Sequence, residues 1–541
     1  MTVPTLATHA ITCVVFLPFA AGLSLLVVSA FASLLSRSQG LPKIVWQVVA
    51  SATTCLTFLL SAVALWGRFD PEATGYQLVE RVAWLPEYGI HYFVGIDGIS
   101  LVLVMLTTFL MPIVLLVSWK EIGRSPRAYL FFMLFLETAI LGAFVSLNLF
   151  QFYLLWEVVL IPMYFIIGIW GGPRRIYAAT KFFLFTQAGS LLMFVAMLVV
   201  YRLNYLQGGA LNFDLIAVAG FPTVGIPLLQ TIVPVAGAPW WSTQAWLFVA
   251  FVLAFGIKVP LVPFHTWLPD AHVEAPTGGS VILAGVLLKL GAYGLLRFAL
   301  PLFPVAAKDF APWMLGLALA GIVYGSLVAM VQKDLKRLVA YSSVAHMGFV
   351  LLGIFSLNLQ GLTGSVLQML NHGLSTGSLF VLVGFLYARR QTRLIADFGG
   401  LAKPMPVFAA FFGLVVMSSI GVPVLNGFVG EFLILLGAFG ANPWVAVVAT
   451  SGVVLAAAYM LWMYRRVVFG PLDKPENRGL MDLDLRERAA LVLLVIPIVW
   501  IGVHPNPLLR RIEPSVSLLL QSIELRQLQG EEALATLEPA P

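Results

Sequence analysis

Phe255-Gly-Ile-Lys-Val-Pro-Leu-Val-Pro-Phe-His-Thr-Trp-Leu-Pro-Asp-Ala-His272 begins inside an apolar run long enough to cross a membrane, yet it carries Lys258, Pro260, Pro263 and His265. The next apolar run, residues 275–298, holds Lys289 near its middle. A lysine in a bilayer core costs roughly 3 kcal/mol on insertion scales. Pro260 and Pro263 each lack an N–H and clash with the carbonyl four residues back, so a helix is predicted to break beside Lys258. Broken helices at membrane depth are tolerated only where they are buried in protein or line a wet cavity. The stretch therefore demands a polar path through a membrane.

Composition agrees with that demand. The 541 residues are 60% hydrophobic and only 10% charged, where soluble chains carry about 25% charged residues. The class is an all-α polytopic membrane protein. The net charge of +6 is no sign of a nucleic-acid partner, because the basic residues fall mostly in short loops between apolar runs. Cys13 and Cys55 are isolated in the first two runs and form neither a metal site nor a disulfide framework. The chain contains no CxxC, no Walker loop and no GxGxxG between a strand and a helix. The first run, too long for a signal-peptide core and without a basic region before it, reads as a span and not as a cleaved segment.

Runs of about 20 apolar residues mark fourteen expected spans: 10–35, 44–66, 98–118, 128–147, 149–170, 177–202, 244–267, 275–298, 311–332, 335–356, 362–388, 405–438, 443–467 and 487–504. Run 405–438 is too long for one straight span, and Gly421, Pro423 and Gly427 predict a second broken helix there. Of the 31 lysines and arginines, twenty fall in one set of alternate loops and eight in the other; Lys181, Lys258 and Lys289 lie inside spans. The positive-inside rule puts the richer set, from Arg37 and Lys43 to Arg486 and Arg488, in the cytoplasm and both termini on the opposite side.

Laying spans 4–8 over spans 9–13 brings out a repeat. Ala188-Gly-Ser-Leu-Leu192 matches Thr376-Gly-Ser-Leu-Phe380, Val259-Pro260-Leu261 matches Val422-Pro423-Val424, and Ala292-Tyr293 matches Ala458-Tyr459. Five spans per unit make the second copy inverted, and Pro-broken helices at matching positions of inverted repeats point to a conduction path. The expected organisation is residues 1–118 (spans 1–3), 128–298 (first five-helix repeat), 311–467 (second, inverted repeat) and 487–541 (last span and tail). Chance matching in apolar sequence is the competing account.

The ionisable residues inside spans are Glu137, Glu157, Lys181, Lys258, Lys289, His346, His372 and Glu431, with His265 in the broken stretch. Lys181, a turn inside its span, has a simpler reading as a side chain snorkelling to the interface. His346 and His372 are also readable as neutral rings satisfied by serines, and Glu137 as a protonated carboxyl bonded to a neighbouring hydroxyl. For Glu157, Lys258, Lys289 and Glu431 a structural role is the weaker account, since four central ionisable groups cost on the order of 10 kcal/mol. Burial favours a neutral amine and a neighbouring carboxylate favours the ammonium. A Glu157–Lys258 pair would thus be a switch, charging the lysine when closed and releasing its proton when open. The predicted chemistry is proton relay through these groups and bound water. Sodium would want several converging carboxylates and carbonyls, and here the centre is basic.

These residues lie in motifs with a family likeness: Gly95-Ile-Asp-Gly-Ile-Ser100, Trp119-Lys-Glu-Ile122, Trp156-Glu-Val158, Ala179-Thr-Lys-Phe-Phe183, Phe264-His-Thr-Trp-Leu-Pro-Asp-Ala-His272, Leu283-Ala-Gly-Val-Leu-Leu-Lys289, Lys333-Asp-Leu-Lys-Arg-Leu-Val-Ala-Tyr-Ser-Ser343, His346-Met-Gly-Phe349 and Phe428-Val-Gly-Glu-Phe432. From Gly95 to Arg466 the chain resembles the antiporter-like, proton-translocating membrane subunits of respiratory complex I, nearest the M type, where the glutamate at 431 stands in place of the lysine usual in the sister subunits and in Mrp-type antiporters. The resemblance implies fourteen spans in two interlocked five-helix bundles. It implies Glu157 and Lys258 as the pair controlling a first half-channel, Lys289, His346 and His372 as a central bridge, and Glu431 serving a second half-channel, with Lys181, His265 and Glu137 secondary. It implies no cofactor in this chain, with flavin, iron–sulfur clusters and quinone held by partner subunits. The implied partners are other membrane-arm subunits, including neighbouring antiporter-like ones, and lipids. The implied home is a prokaryotic cytoplasmic or a thylakoid membrane, since the chain also resembles the photosynthetic D-type subunit. Glu274-Ala-Pro-Thr-Gly-Gly-Ser280 leans toward the bacterial NADH enzyme. An Mrp-like cation/proton antiporter subunit and a membrane-bound hydrogenase subunit are the alternative functions. The tail from Pro507 departs from the family pattern, and its Ser515–Gln527 portion reads as an amphipathic surface helix.

Overall fold

The computed structural model describes residues 9–36, 40–218, 221, 225–235 and 241–535; Arg37, counted among the loop charges, lies outside them. The described residues form a helical bundle with one β-hairpin. Its helices are α1 (Ala10–Ser36), α2 (Lys43–Trp66), α3 (Gly98–Ser118), α4 (Pro126–Val145), α5 (Leu149–Trp170), α6 (Arg175–Gly208), α7 (Thr243–Lys258) and α8 (Trp267–Glu274). They continue as α9 (Thr277–Leu302), α10 (Pro304–Met330), α11 (Leu335–Phe355), α12 (Leu359–Arg390), α13 (Pro406–Ser419), α14 (Asn426–Ala441), α15 (Pro443–Val468), α16 (Leu485–Val503) and α17 (Asn506–Ala535). Among the described residues, eleven helices are long and apolar enough to cross a membrane, or twelve with the pair α16 and α17, which meet at 71°. The apolar helices α7, α13 and α14 are shorter and flank the two predicted breaks.

Both breaks follow from proline chemistry. Pro260 offers no N–H to the Gly256 carbonyl, which takes the Leu261 N–H instead at 2.6 Å. The Ile257 carbonyl, deprived of Leu261, accepts the Trp267 indole N–H at 2.8 Å. A carbonyl left unpaired at this depth would cost several kcal/mol, so Trp267 staples α8 back onto the end of α7. The second break, between Ser419 and Asn426, turns through Gly421 at φ +73° and is closed by Ser418 Oγ donating to Asn426 Oδ1 at 2.6 Å. A milder interruption falls at Val159 in α5, where Pro162 has no N–H for the Val158 carbonyl.

The centre of the bundle is α9, α11 and α12, buried along nearly their whole length. Helices in lipid gain from close backbone approach. Gly291 of α9 provides one: a Cβ there would stand 2.6 Å from the Phe255 carbonyl oxygen, so α9 lies directly against the end of α7. Two π-turns, Leu283–Leu287 and Leu295–Ala299, interrupt α9 on either side of Lys289. Nothing in the sequence announced them.

The hairpin β1 (Gln77–Leu85) and β2 (Ile90–Ile96) caps one end of the bundle. It is knitted on by Leu147 N–H to the Phe93 carbonyl at 2.8 Å and Phe213 N–H to the Gly89 carbonyl at 3.1 Å. Arg81 Nη2 and His91 Nδ1 both reach the fully buried Asp214, at 2.8 and 3.1 Å. The Gly95–Ser100 motif starts α3: Asp97 is its N-cap, accepting the Ser100 N–H at 2.9 Å. Two residues counted as loop charges are buried instead. Arg297 lies inside α9, paired with Asp97 at 2.7 Å and donating to Tyr76 Oη at 2.5 Å. Lys336, in the first turn of α11, donates to the Ala275 carbonyl at 2.5 Å. A basic residue at a span end looks the same in sequence whether it meets water or a partner.

Helix α17 is longer than the surface helix expected over Ser515–Gln527. Gly98 N–H donates to Ser515 Oγ at 2.8 Å, Arg526 donates to the carbonyls of Pro301 and Thr231, and Gln527 donates to that of Pro304 at 3.1 Å. The tail clasps the ends of α3, α9 and α10.

Candidate functional site

Four of the ionisable residues, from four different helices, meet in one row. Lys289 Nζ donates to His372 Nδ1 at 2.6 Å and to the Ala284 carbonyl, which lies in the first π-turn. The His372 and His346 ring centroids are 5.7 Å apart. His346 Nδ1 donates to Glu431 Oε1 at 2.9 Å, and Gln368 Nε2 donates to the same oxygen at 3.0 Å. Lys289, His346, His372 and Glu431 are all at most 4% exposed. Each comes from a different helix, α9, α11, α12 and α14, so the row runs across the bundle and not along one helix. On the far side Ser419 Oγ faces His346 Nε2 at 3.4 Å. Beyond it Ser375, Ser418 and Asn426 form a hydroxyl–amide cluster with contacts of 2.6 to 3.3 Å.

The expected Glu157–Lys258 pair is not closed. Lys258 is 1% exposed; its Nζ has no hydrogen-bond partner and stands 3.5 Å from the centroid of a Trp156 ring. A desolvated cation–π contact of this kind is worth about 2 kcal/mol. Glu157, the next residue, is half-buried with Oε1 unpartnered. Trp156 is held by its indole N–H, which donates to Ser190 Oγ at 3.4 Å. Lys258 also ends α7, where the free carbonyls of the last turn favour a cation.

Lys181 does not snorkel: its Nζ donates to Asp270 Oδ2 at 2.7 Å and to the Thr266 carbonyl at 2.9 Å. Arg337 reaches the other Asp270 oxygen at 3.3 Å, and a polar pocket of about 110 Å³ opens beside this carboxylate, lined also by Arg174, Glu274 and Asp334. His265 is buried between Tyr324 and Tyr341, at ring-centroid distances of 5.3 and 6.2 Å, with both nitrogens unpartnered. Glu137 is fully buried, and neither carboxyl oxygen meets a hydrogen-bond partner, so the neighbouring hydroxyl expected for it is not there.

Several polar residues escaped sequence reading. Gln368 sits one turn before His372 and Asn371 directly before it, and only that helical spacing, i−4 and i−1, hinted at a shared neighbourhood. Asp270 was visible in the His265–His272 motif, but nothing local tied it to Lys181. His272, at the end of the same motif, stacks on Phe380 at 4.6 Å with both nitrogens unpartnered. Among the described residues no group of three or more His, Cys, Asp or Glu side chains is arranged to hold a metal ion.

The chain matches the family model described as NADH:quinone oxidoreductase/Mrp antiporter, TM, over residues 146–456. It also matches that of the amino terminus of NADH-ubiquinone oxidoreductase chain 4 over residues 78–143. It is 48% identical over 478 residues to NADH-quinone oxidoreductase subunit M of Rhodobacter capsulatus, covering 88% of this chain and 90% of that one. The subunit M of Rickettsia prowazekii is 45% identical over 474 residues, 87% of this chain and 92% of the relative. Among solved structures, a chain of respiratory complex I from Thermus thermophilus with bound NADH superposes with a TM-score of 0.81 at 32% identity, over 95% of this chain and 99% of that one. A chain of the Mrp complex from a Dietzia species shares the fold, with a TM-score of 0.78 at 18% identity over 97% and 99% of the two chains. The site, the fold and these likenesses agree: the chain belongs to the NADH:quinone oxidoreductase/Mrp antiporter family of membrane subunits, in its subunit M branch.

Proposed function

We propose that this chain moves protons along Lys258, Lys289, His372, His346 and Glu431 as a membrane-arm subunit of a quinone-reducing respiratory complex, driven by electron transfer in partner subunits. The observation that carries the reading is the buried row from Lys289 to Glu431, in which every member holds or accepts a proton, its two ends are closed by hydrogen bonds of 2.6 and 2.9 Å, and the two histidine rings between them are 5.7 Å apart. Protons enter beside Lys181 and Asp270, at the polar pocket on the Arg-rich side. The Glu157–Lys258 switch gates them: with the lysine resting on Trp156 the switch is open, and rotation toward Glu157 charges it. Water bridges the two histidines, and Glu431 delivers the proton toward the opposite face through the serines around Asn426. The Mrp-like reading is less favoured, because a carboxylate and not an amine ends the row.

The same reading takes the chain as fourteen spans, the eleven long helices joined by two broken ones and by α16. Residues 128–298 and 311–467 are its two inverted units, flanked by 1–118 and 487–541, with the termini on the non-cytoplasmic side. The matching breaks after Lys258 and Ser419 support the inversion. Flavin, iron–sulfur clusters and quinone belong to the partner subunits.

The test is quinone reductase activity and proton uptake in vesicles bearing the assembled complex with Lys258→Ala or Glu157→Ala. Both activities collapse while assembly is intact if the pair gates a coupled path. Survival of pumping in both variants would make Lys258 structural and end the proposal.

A further inference from the structure

A groove of about 620 Å³ runs down the outside of the bundle between α2, α3, α12, α16 and the start of α17. Its walls are apolar: Phe58, Met105, Phe109, Leu374, Ile496 and Ile501 are among them. Its one charged lining residue is Arg511, in α17, at the end where α2 and α16 finish. The Arg511 guanidinium lies over a Trp66 ring at 4.0 Å and donates from Nη1 only to its own helix, at the Pro507 carbonyl, 2.9 Å away. Its Nε is buried and has no partner. The aromatic residues Trp66 and Trp500 stand at this same end, where indole rings mark the membrane interface.

We propose that this groove binds one phospholipid, its phosphate on Arg511 and one acyl chain along the groove. The length fits. Leu370 and Leu374 close the far end, and at 1.5 Å rise per residue they lie about 17 to 23 Å along α12 from its start at Leu359. Half of a ~30 Å hydrocarbon core is about 15 Å, so a chain anchored at the interface ends near Leu370, the nearer of the two. The charge fits as well, because a guanidinium lining an apolar groove beside two indole rings matches a phosphate, and volumes of about 300–1,000 Å³ are those of sites that bury ligands. The acyl chain would bear on α12 from behind. Leu370 and Leu374 are two residues either side of His372, on the opposite face of the helix, and Leu106 of the groove wall packs on Gly373.

The experiment uses the assembled complex in nanodiscs containing phosphatidylglycerol with a diazirine midway along one acyl chain, followed by mapping of the labelled peptides. Labelling is expected at Met105, Phe109, Leu493 and Ile496. It should fall at least fivefold in Arg511→Gln while the exposed α15 positions Val447 and Val454 label as before. Ala62→Trp, which fills the groove with Arg511 intact, should lose the groove label too, and a diacylglycerol probe lacking phosphate should label the groove no more than it labels α15. An unlabelled groove in the wild type overturns the proposal. So does equal groove labelling by both probes with no response to Arg511→Gln, and so do crosslinks from these positions to a neighbouring subunit in place of lipid.

Discussion

Glu431 is the position where the proton reading and a merely structural reading diverge most. Its Oε1 accepts two hydrogen bonds inside the protein, from His346 at 2.9 Å and from Gln368 at 3.0 Å. Glu431→Gln keeps an oxygen in that place, so both donors remain satisfied and only the charge assistance is lost, about 1 kcal/mol. Glu431→Leu removes the acceptor and strands two buried donors at about 1–3 kcal/mol each, roughly 2–6 kcal/mol together. The glutamine variant should therefore assemble nearly normally, and the leucine variant should assemble poorly. Yet the glutamine amide takes up no proton in the physiological range, so proton uptake in vesicles should drop at least tenfold in both. Assembly is read on native gels, and pumping by a pH-sensitive dye at matched quinone reductase rates. Wild-type pumping in Glu431→Gln would remove Glu431 from the path. Equal assembly of the two variants would refute the hydrogen-bond accounting.

Three further outcomes follow from the fold. Trp267→Phe leaves the Ile257 carbonyl without its donor and should destabilise the complex by about 1–3 kcal/mol, seen as faster heat inactivation; no change would mean that the break is held by other contacts. Gly98→Ala sets a Cβ at 1.7 Å from the Arg511 carbonyl oxygen, backbone against backbone, so α17 should detach and become cleavable by added protease within residues 506–535, where the wild type resists. Asp484 caps α16 beside Lys120 at 3.0 Å. Burial alone raises its carboxyl, but the Glu487 backbone N–H, Lys120 and Arg486 outweigh it and bring the group below the ordinary aspartate value. Its contribution is thus complete above pH ~4 and is lost as pH falls through the depressed value. Heat inactivation of Asp484→Asn should be slightly faster than wild type at pH 7 and converge with it in acid, the difference shrinking in high salt because the pair is exposed.

Prolines made the fold legible. Pro260, Pro263 and Pro423 mark their breaks locally, because a missing N–H acts within one turn of the chain. Isolated charge in apolar sequence is equally plain, so Lys258, Lys289, His346, His372 and Glu431 stand out without any partner in view. Pairing was not legible. Lys289 and His372 are 83 residues apart, Lys181 and Asp270 89, and no local pattern encodes a meeting of helices. The resting place of Lys258 on Trp156 was hidden for a different reason: a carboxylate was the obvious partner, and the competing ring face one residue away carries no formal charge. The π-turns around Lys289 arise from packing and leave no signature in residue type.

Strands β1 and β2, bonded to the connections at residues 146–148 and 213–215, form a stiff lid, and a lid held by backbone bonds cannot thin gradually; it is either shut or torn. It packs on α1, α3, α4 and α5. Beneath it the bundle behaves like a vessel corked at one corner. The path we propose therefore runs sideways beneath it, along the line where α9 and α12 touch.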